Sequence, residues 1–173
     1  PNGPLTIDME EGPDWIVNNY ANQQFGEKMS IADATINSVN VVYAQLVMQV
    51  GPENVESLLG EMEIYDIGNN PAIALGGLEI GITPLDVSKV FSTLASGGVY
   101  NMPVSILKIT DAQGNVLYQY DPDAELNNKR ILEESASYYI TGILKSVIDA
   151  GTGRGANIGM PAAGKTGTTS DYK

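Results

Sequence analysis

The stretch from Ser30 to Gly60 constrains this chain most, because three helix-length segments follow one another there with start and stop signals in place. Ser30, three residues before Asp33, matches a capping box, and Ile31, Ala34 and Thr35 open a helical face that ends near Asn37. Val41, Val42, Ala44, Leu46, Val47 and Val50 make a second, strongly apolar helix closed by Gly51 and Pro52. Residues 52–60 form a short amphipathic helix through Val55, Leu58 and Leu59, stopped by Gly60. Ser38 therefore falls at a junction between two helices.

The rest of the chain extends this helical lobe, taken as residues 29–100. Residues 1–28 hold several Pro, Gly and Asn residues around Trp15 and predict an irregular lead-in, with Trp15 as a packing anchor. Residues 61–82 predict a connecting loop. Thr83-Pro84 with Asp86 is a helix start, and Val87, Val90, Phe91 and Leu94 continue one face, expected to be buried, up to Gly97-Gly98. Ser105–Thr110 and Val116–Tyr120 alternate around Asp111-Ala112-Gln113-Gly114-Asn115, which predicts a hairpin within 101–122. A long helix is expected over 133–150, and the small-residue run at 160–169 predicts a strand. The pattern is α+β, mainly helical, in one domain, which 173 residues with 43% hydrophobic side chains suffice to fold.

Composition narrows the chemistry. A net charge of −12 repels phosphate backbones, so nucleic acid is excluded as a partner. The chain has no cysteine and no histidine, which removes thiolates, imidazole bases and nearly every zinc or transition-metal site. Catalysis must use hydroxyls, lysines or carboxylates.

Two triplets offer those groups. Ser38-Val39-Asn40 places a hydroxyl and an amide between two helices, and Lys165-Thr166-Gly167 lies on an extended run where a ligand strand can approach Gly167. Their order, together with Trp15, Asn18-Asn19-Tyr20, Leu75-Gly76-Gly77, Ile82–Val87, Leu94–Gly98, Val147–Thr152 and Ala163–Thr169, resembles the transpeptidase domain of class A penicillin-binding proteins, the bifunctional cell-wall synthases. Penicillin-interacting serine enzymes carry three motifs: Ser-x-x-Lys, a Ser-x-Asn-type triplet and Lys-Thr-Gly. The resemblance implies a partial serine β-lactamase/D,D-transpeptidase-like fold with a remnant of its antiparallel sheet. It implies acyl transfer on peptidoglycan stem peptides with no metal and no organic cofactor, inhibition by β-lactams, and a membrane-anchored parent acting on the outer face of a bacterial cytoplasmic membrane. Ser38 would relay a proton, Asn40 would hold the substrate amide, and Lys165 would supply positive charge near Ser38 and the substrate carboxylate. Thr166 and Thr168 would bind the substrate carboxylate beside Gly167, with the Thr168 N–H as one oxyanion donor.

One departure stands out: no Ser-x-x-Lys precedes Ser38. Ser105-Ile106-Leu107-Lys108 follows it and lies in a predicted strand, and Ser170-Asp171-Tyr172-Lys173 closes the sequence. The chain is therefore expected to be a fragment without its nucleophile, inactive alone and open to self-association through cut sheet edges near Ala162–Thr169. Two rivals remain. Gly159–Thr166 satisfies the nucleotide-binding Gly-x-x-x-x-Gly-Lys-Thr pattern, although such a loop needs a strand before it and a helix after it. A non-catalytic binding module is the other.

Overall fold

The computed structural model describes residues 1–9, 12–124 and 127–168. Among them, five α-helices carry the architecture: α1 Ile31–Ile36, α2 Asn40–Val50, α3 Pro52–Gly60, α4 Pro84–Ala95 and α5 Glu134–Asp149. Three antiparallel two-stranded ribbons accompany them: β1 Leu5–Ile7 with β2 Trp15–Val17, β3 Val99–Asn101 with β6 Asn128–Arg130, and β4 Lys108–Thr110 with β5 Val116–Gln119. The fold is thus α+β and mainly helical.

Local signals explain most helix ends. Ser30 accepts the Asp33 N–H at 3.0 Å to cap α1. At α4 the box is reciprocal: Thr83 Oγ1 accepts from Asp86 N–H at 3.2 Å, and Thr83 N–H donates to the Asp86 carboxylate at 3.0 Å. These bonds from Thr83, with Lys89 nearby, hold the Asp86 carboxyl below its ordinary pKa. The hairpin turn is closed by Asp111, whose carboxylate accepts from the N–H groups of Gln113 and Asn115 at 2.9 and 2.8 Å.

α1 stops without glycine. Val39 N–H donates to Ala34 O at 2.8 Å and Ser38 N–H to Thr35 O at 3.2 Å, while Ser38 takes a left-handed φ of 55°. This is a Schellman closure, completed by burial of both Ala34 and Val39. It turns the chain directly into α2, whose Val41, Ala44 and Val47 face the interior.

The core has two parts. Val17, Val41 and Ala44 form one, with Leu5 and Ile7 against it. Val47, Met62, Ile64, Ile67, Ile73 and Tyr100 form the other. Trp15 packs on both, as its expected anchoring role requires.

Three expectations need correction, and one strand pairing went unanticipated. Residues 1–28 are not simply irregular, because Leu5, Ile7 and Trp15 are drawn onto the core and pair β1 with β2. Tertiary burial outweighs the turn-rich composition there. β3 and β6, a pairing between Val99 and Arg130 far apart in sequence, escaped the pattern reading. The face of α4 is only partly covered: Val87 and Phe91 remain 40% and 37% exposed. The helix docks along Val90 and Thr93 instead, and Ser137 of α5 donates to Leu94 O at 2.7 Å. Finally, the strand expected over 160–169 does not form within the described residues. Residues 161–168 form no ladder: they run beside α5, which offers one carbonyl, Leu144 O, to Gly164 N–H at 3.2 Å. Thr169 lies outside the described residues.

Ser38→Gly is expected to be more stable than Ser38→Ala by about 1 kcal/mol, since both lose the hydroxyl and only glycine relieves the left-handed backbone. Urea unfolding of the two variants checks this, and equal midpoints would contradict the closure.

Candidate active site

The α1–α2 junction and the extended run after α5 meet across an open cleft of about 1010 Å³. Lys165 Nζ donates to Ser38 Oγ at 2.7 Å, although the two residues are 127 positions apart. A second Lys165 proton goes to the Thr166 carbonyl at 3.1 Å. Thr166, Gly167 and Thr168 follow along the same wall. The structure thus brings together all six residues singled out in the sequence: Ser38, Asn40, Lys165, Thr166, Gly167 and Thr168.

Asn40 opens α2, and its Nδ2 donates to Asn18 O at 2.9 Å. The orientation is supported from the lead-in, where Asn19 Oδ1 accepts the Val41 N–H at 3.2 Å. That bond satisfies one of the N–H groups left over at the start of α2, which has no side-chain cap of its own. Asn19 is buried and also donates to Pro1 O and Gln23 O at 2.8 and 3.0 Å. Behind Ser38, the Thr35 and Tyr43 hydroxyls meet at 2.5 Å and tie α1 to α2.

The electrostatics of the cleft are unlike those of the whole molecule. The chain has a net charge of −12, yet among the described residues no Asp or Glu lines this cleft, and Lys165 is the one charged residue among its lining side chains. Burial pushes the Lys165 amine below its ordinary pKa. As an ammonium, Lys165 gives Ser38 Oγ a donor and leaves the serine's own proton free to point into the cleft. After losing a proton it can accept from Ser38 instead. The pair is therefore suited to pass a proton, and the cleft as a whole is suited to an anion.

Sequence reasoning missed Thr152, whose Oγ1 lies 2.7 Å from Thr166 Oγ1, and the supporting pair Thr35–Tyr43. Thr152 stood at the end of Val147–Thr152, one of the stretches that carry the family resemblance, but no role was read from it. Ser105 and Lys108 are not among the lining residues, with Lys108 in β4. Ser170-Asp171-Tyr172-Lys173 lies outside the described residues. The nucleotide-loop reading of Gly159–Thr166 finds neither flank among the described residues: a short 3-10 turn, Arg154–Ala156, precedes it, and no helix begins through Thr168.

The sequence matches the family described as penicillin binding protein transpeptidase domain over residues 6–173. The chain belongs to that family. It is 33% identical over 176 residues to penicillin-binding protein 1B of Vibrio cholerae, covering 98% of this chain and 22% of that protein. It is 31% identical over 166 residues to penicillin-binding protein 1F of Bacillus subtilis, covering 96% and 22%. The transpeptidase-domain chain thus spans a small part of the curated relatives it matches. Among solved structures, penicillin-binding protein 1A from Haemophilus influenzae superposes with a TM-score of 0.80 at 18% identity, over 97% of this chain and 30% of that one. The D,D-transpeptidase domain of a peptidoglycan glycosyltransferase from Eggerthella lenta gives 0.75 at 21% identity, over 98% and 48%. These likenesses show the shared fold.

The lowered pKa of Lys165 has a defined consequence for stability. Below its folded pKa the lysine is charged in both states, and its burial costs stability in full. That cost is shed as pH rises through the folded pKa toward the ordinary lysine value of 10.5, because the unfolded chain then binds the extra proton. The 13Cε resonance of Lys165 is expected to titrate below that value, and stability relative to Lys165→Met is expected to rise with pH across the same window. Titration at or above the ordinary value would contradict the buried placement.

Proposed function

We propose that this chain supplies the carboxylate-binding wall and proton relay of a peptidoglycan D,D-transpeptidase, and that it is inactive without a Ser-x-x-Lys segment. The observation that carries this reading is the acid-free cleft in which Lys165 donates to Ser38 at 2.7 Å. A terminal D-Ala-D-Ala carboxylate suits that cleft, with the Thr166 and Thr168 hydroxyls and the Lys165 charge around it.

In the complete enzyme, the serine of Ser-x-x-Lys attacks the carbonyl of the penultimate D-Ala and forms an ester. The C–N bond to the terminal D-Ala breaks, and Ser38 passes a proton to the leaving amine from the Lys165 side. A second stem peptide then brings an amine that takes the acyl group and restores the serine. Asn40 Nδ2 is already engaged by Asn18 O, which directs its Oδ1 as the acceptor for the substrate amide N–H. The Thr168 N–H is one oxyanion donor and the attacking serine's N–H the other. The site of action is the outer face of a bacterial cytoplasmic membrane, with an anchor supplied by the parent protein. Among the described residues, no helix is long and apolar enough to cross a membrane.

A fluorescent penicillin is expected to leave this chain unlabelled and to label the complete enzyme, with labelling lowered about 100-fold or more by Lys165→Ala. A labelled band from this chain would show that its nucleophile is one of the 173 residues. Saturable magnesium-dependent ATP binding, lost in Lys165→Ala, would instead favour the nucleotide-loop reading.

The reading extends to self-association. Residues 161–168 belong to no sheet among the described residues, which leaves backbone groups for pairing with a second copy. Light scattering is expected to show a concentration-dependent dimer; a monomer at high concentration would remove this part of the proposal.

A further inference from the structure

Thr152 faces the cleft with no part in the reaction described above. It belongs to the turn that ends α5, where Gly151 N–H donates to Ser146 O and Val147 O at 3.1 Å each, and Gly153 N–H donates to Val147 O at 3.0 Å. The turn also reaches α1, because Thr152 N–H donates to Ile36 O at 3.1 Å. That approach depends on Gly151. A Cβ there would sit 2.4 Å from Ile36 O, whereas one on Gly153 would meet only α5 itself, with Val147 O at 3.1 Å. Thr152 is thus fixed by its backbone to the helix that delivers Ser38. Its side chain, 2.7 Å from Thr166 Oγ1, holds the opposite wall.

Proton accounting gives this contact a direction. Each threonine hydroxyl has one proton to donate, and a carboxylate only accepts. If Thr166 donated to Thr152, it would present lone pairs to an incoming anion. If Thr152 donates to Thr166, the Thr166 proton is released toward the anion, and the two bonds polarise one another. We infer that Thr152 is a positioning residue, which donates to Thr166 Oγ1 and so turns the Thr166 hydroxyl proton toward the substrate carboxylate. The inference rests on the transpeptidase reading, in which Thr166 meets that carboxylate.

The test uses the complete enzyme and two acylating ligands, a penicillin and its carboxylate methyl ester. Thr152→Val is expected to slow acylation by the free acid about tenfold, the scale of one bond lost from a charge-assisted chain, and to leave the ester nearly unaffected. Thr152→Ser, which keeps the hydroxyl, is expected to recover the rate. Thr152→Val added to Thr166→Val is expected to cost nothing further, because its effect passes through Thr166. An unchanged rate in Thr152→Val would overturn the inference. So would equal losses with acid and ester, which would mark a structural role, or a further loss in the Thr166→Val background, which would mark direct contact with the ligand. If the wild-type enzyme fails to acylate at all, the transpeptidase reading itself falls and takes this inference with it. A labelled wild type beside an unchanged Thr152→Val overturns the inference alone.

Discussion

Ser38 can present its hydroxyl to Lys165 because α1 ends in a closure that forces the serine backbone into the left-handed region. For a residue with a Cβ that conformation costs roughly 1–2 kcal/mol, and glycine would avoid it. Two backbone hydrogen bonds and the burial of Ala34 and Val39 offset the cost. The closure also sets where α2 begins, and with it the direction of Asn40. Strain is therefore concentrated at the residue whose hydroxyl the cleft needs, and its supports lie in apolar packing behind the site.

The opposite wall is held differently. Residues 161–168 have no strand ladder among the described residues, so Lys165 and Thr166 are located by a few polar contacts: Gly164 N–H to Leu144 O, Lys165 to Ser38, and Thr166 to Thr152. A net hydrogen bond contributes on the order of 1 kcal/mol, so this wall is the less secure of the two. Gly151 makes up part of the difference, since it lets the end of α5 lie against α1 and bring both walls into register.

Legibility in the sequence followed the range of the forces involved. Helix signals are local, so the Ser30 cap, the Thr83–Asp86 box and the placement of Ser38 between two helices were all visible in the residue pattern. The pairing of Val99 with Arg130 depends on chain segments far apart and left no local mark beyond the glycines before it. The lead-in misled for a related reason: its Pro, Gly and Asn content describes the turns, while Leu5, Ile7 and Trp15 answer to a core supplied by α2. The left-handed serine was hidden because the usual marker of such a closure is glycine. Thr152 lay in a stretch that carries the resemblance, but its role was hidden because a lone hydroxyl says nothing until its neighbour across the cleft is known. The triplets were legible, and the resemblance put Lys165 near Ser38; the contact itself, at 2.7 Å, is what the structure adds.

Charge placement links these walls to function. In a chain of net charge −12, an acid-free cleft is an arrangement that random surface composition does not favour. A carboxylate beside Lys165 would neutralise it and raise its pKa, whereas the hydroxyls and amides actually present solvate the ammonium without cancelling its charge. Partial burial then works in two ways: it lowers the pKa of Lys165, and it reduces the solvent screening of the ammonium charge. An anion placed beside Lys165 would favour the protonated amine. Under the function proposed above, anion binding and the protonation of Lys165 would therefore be linked.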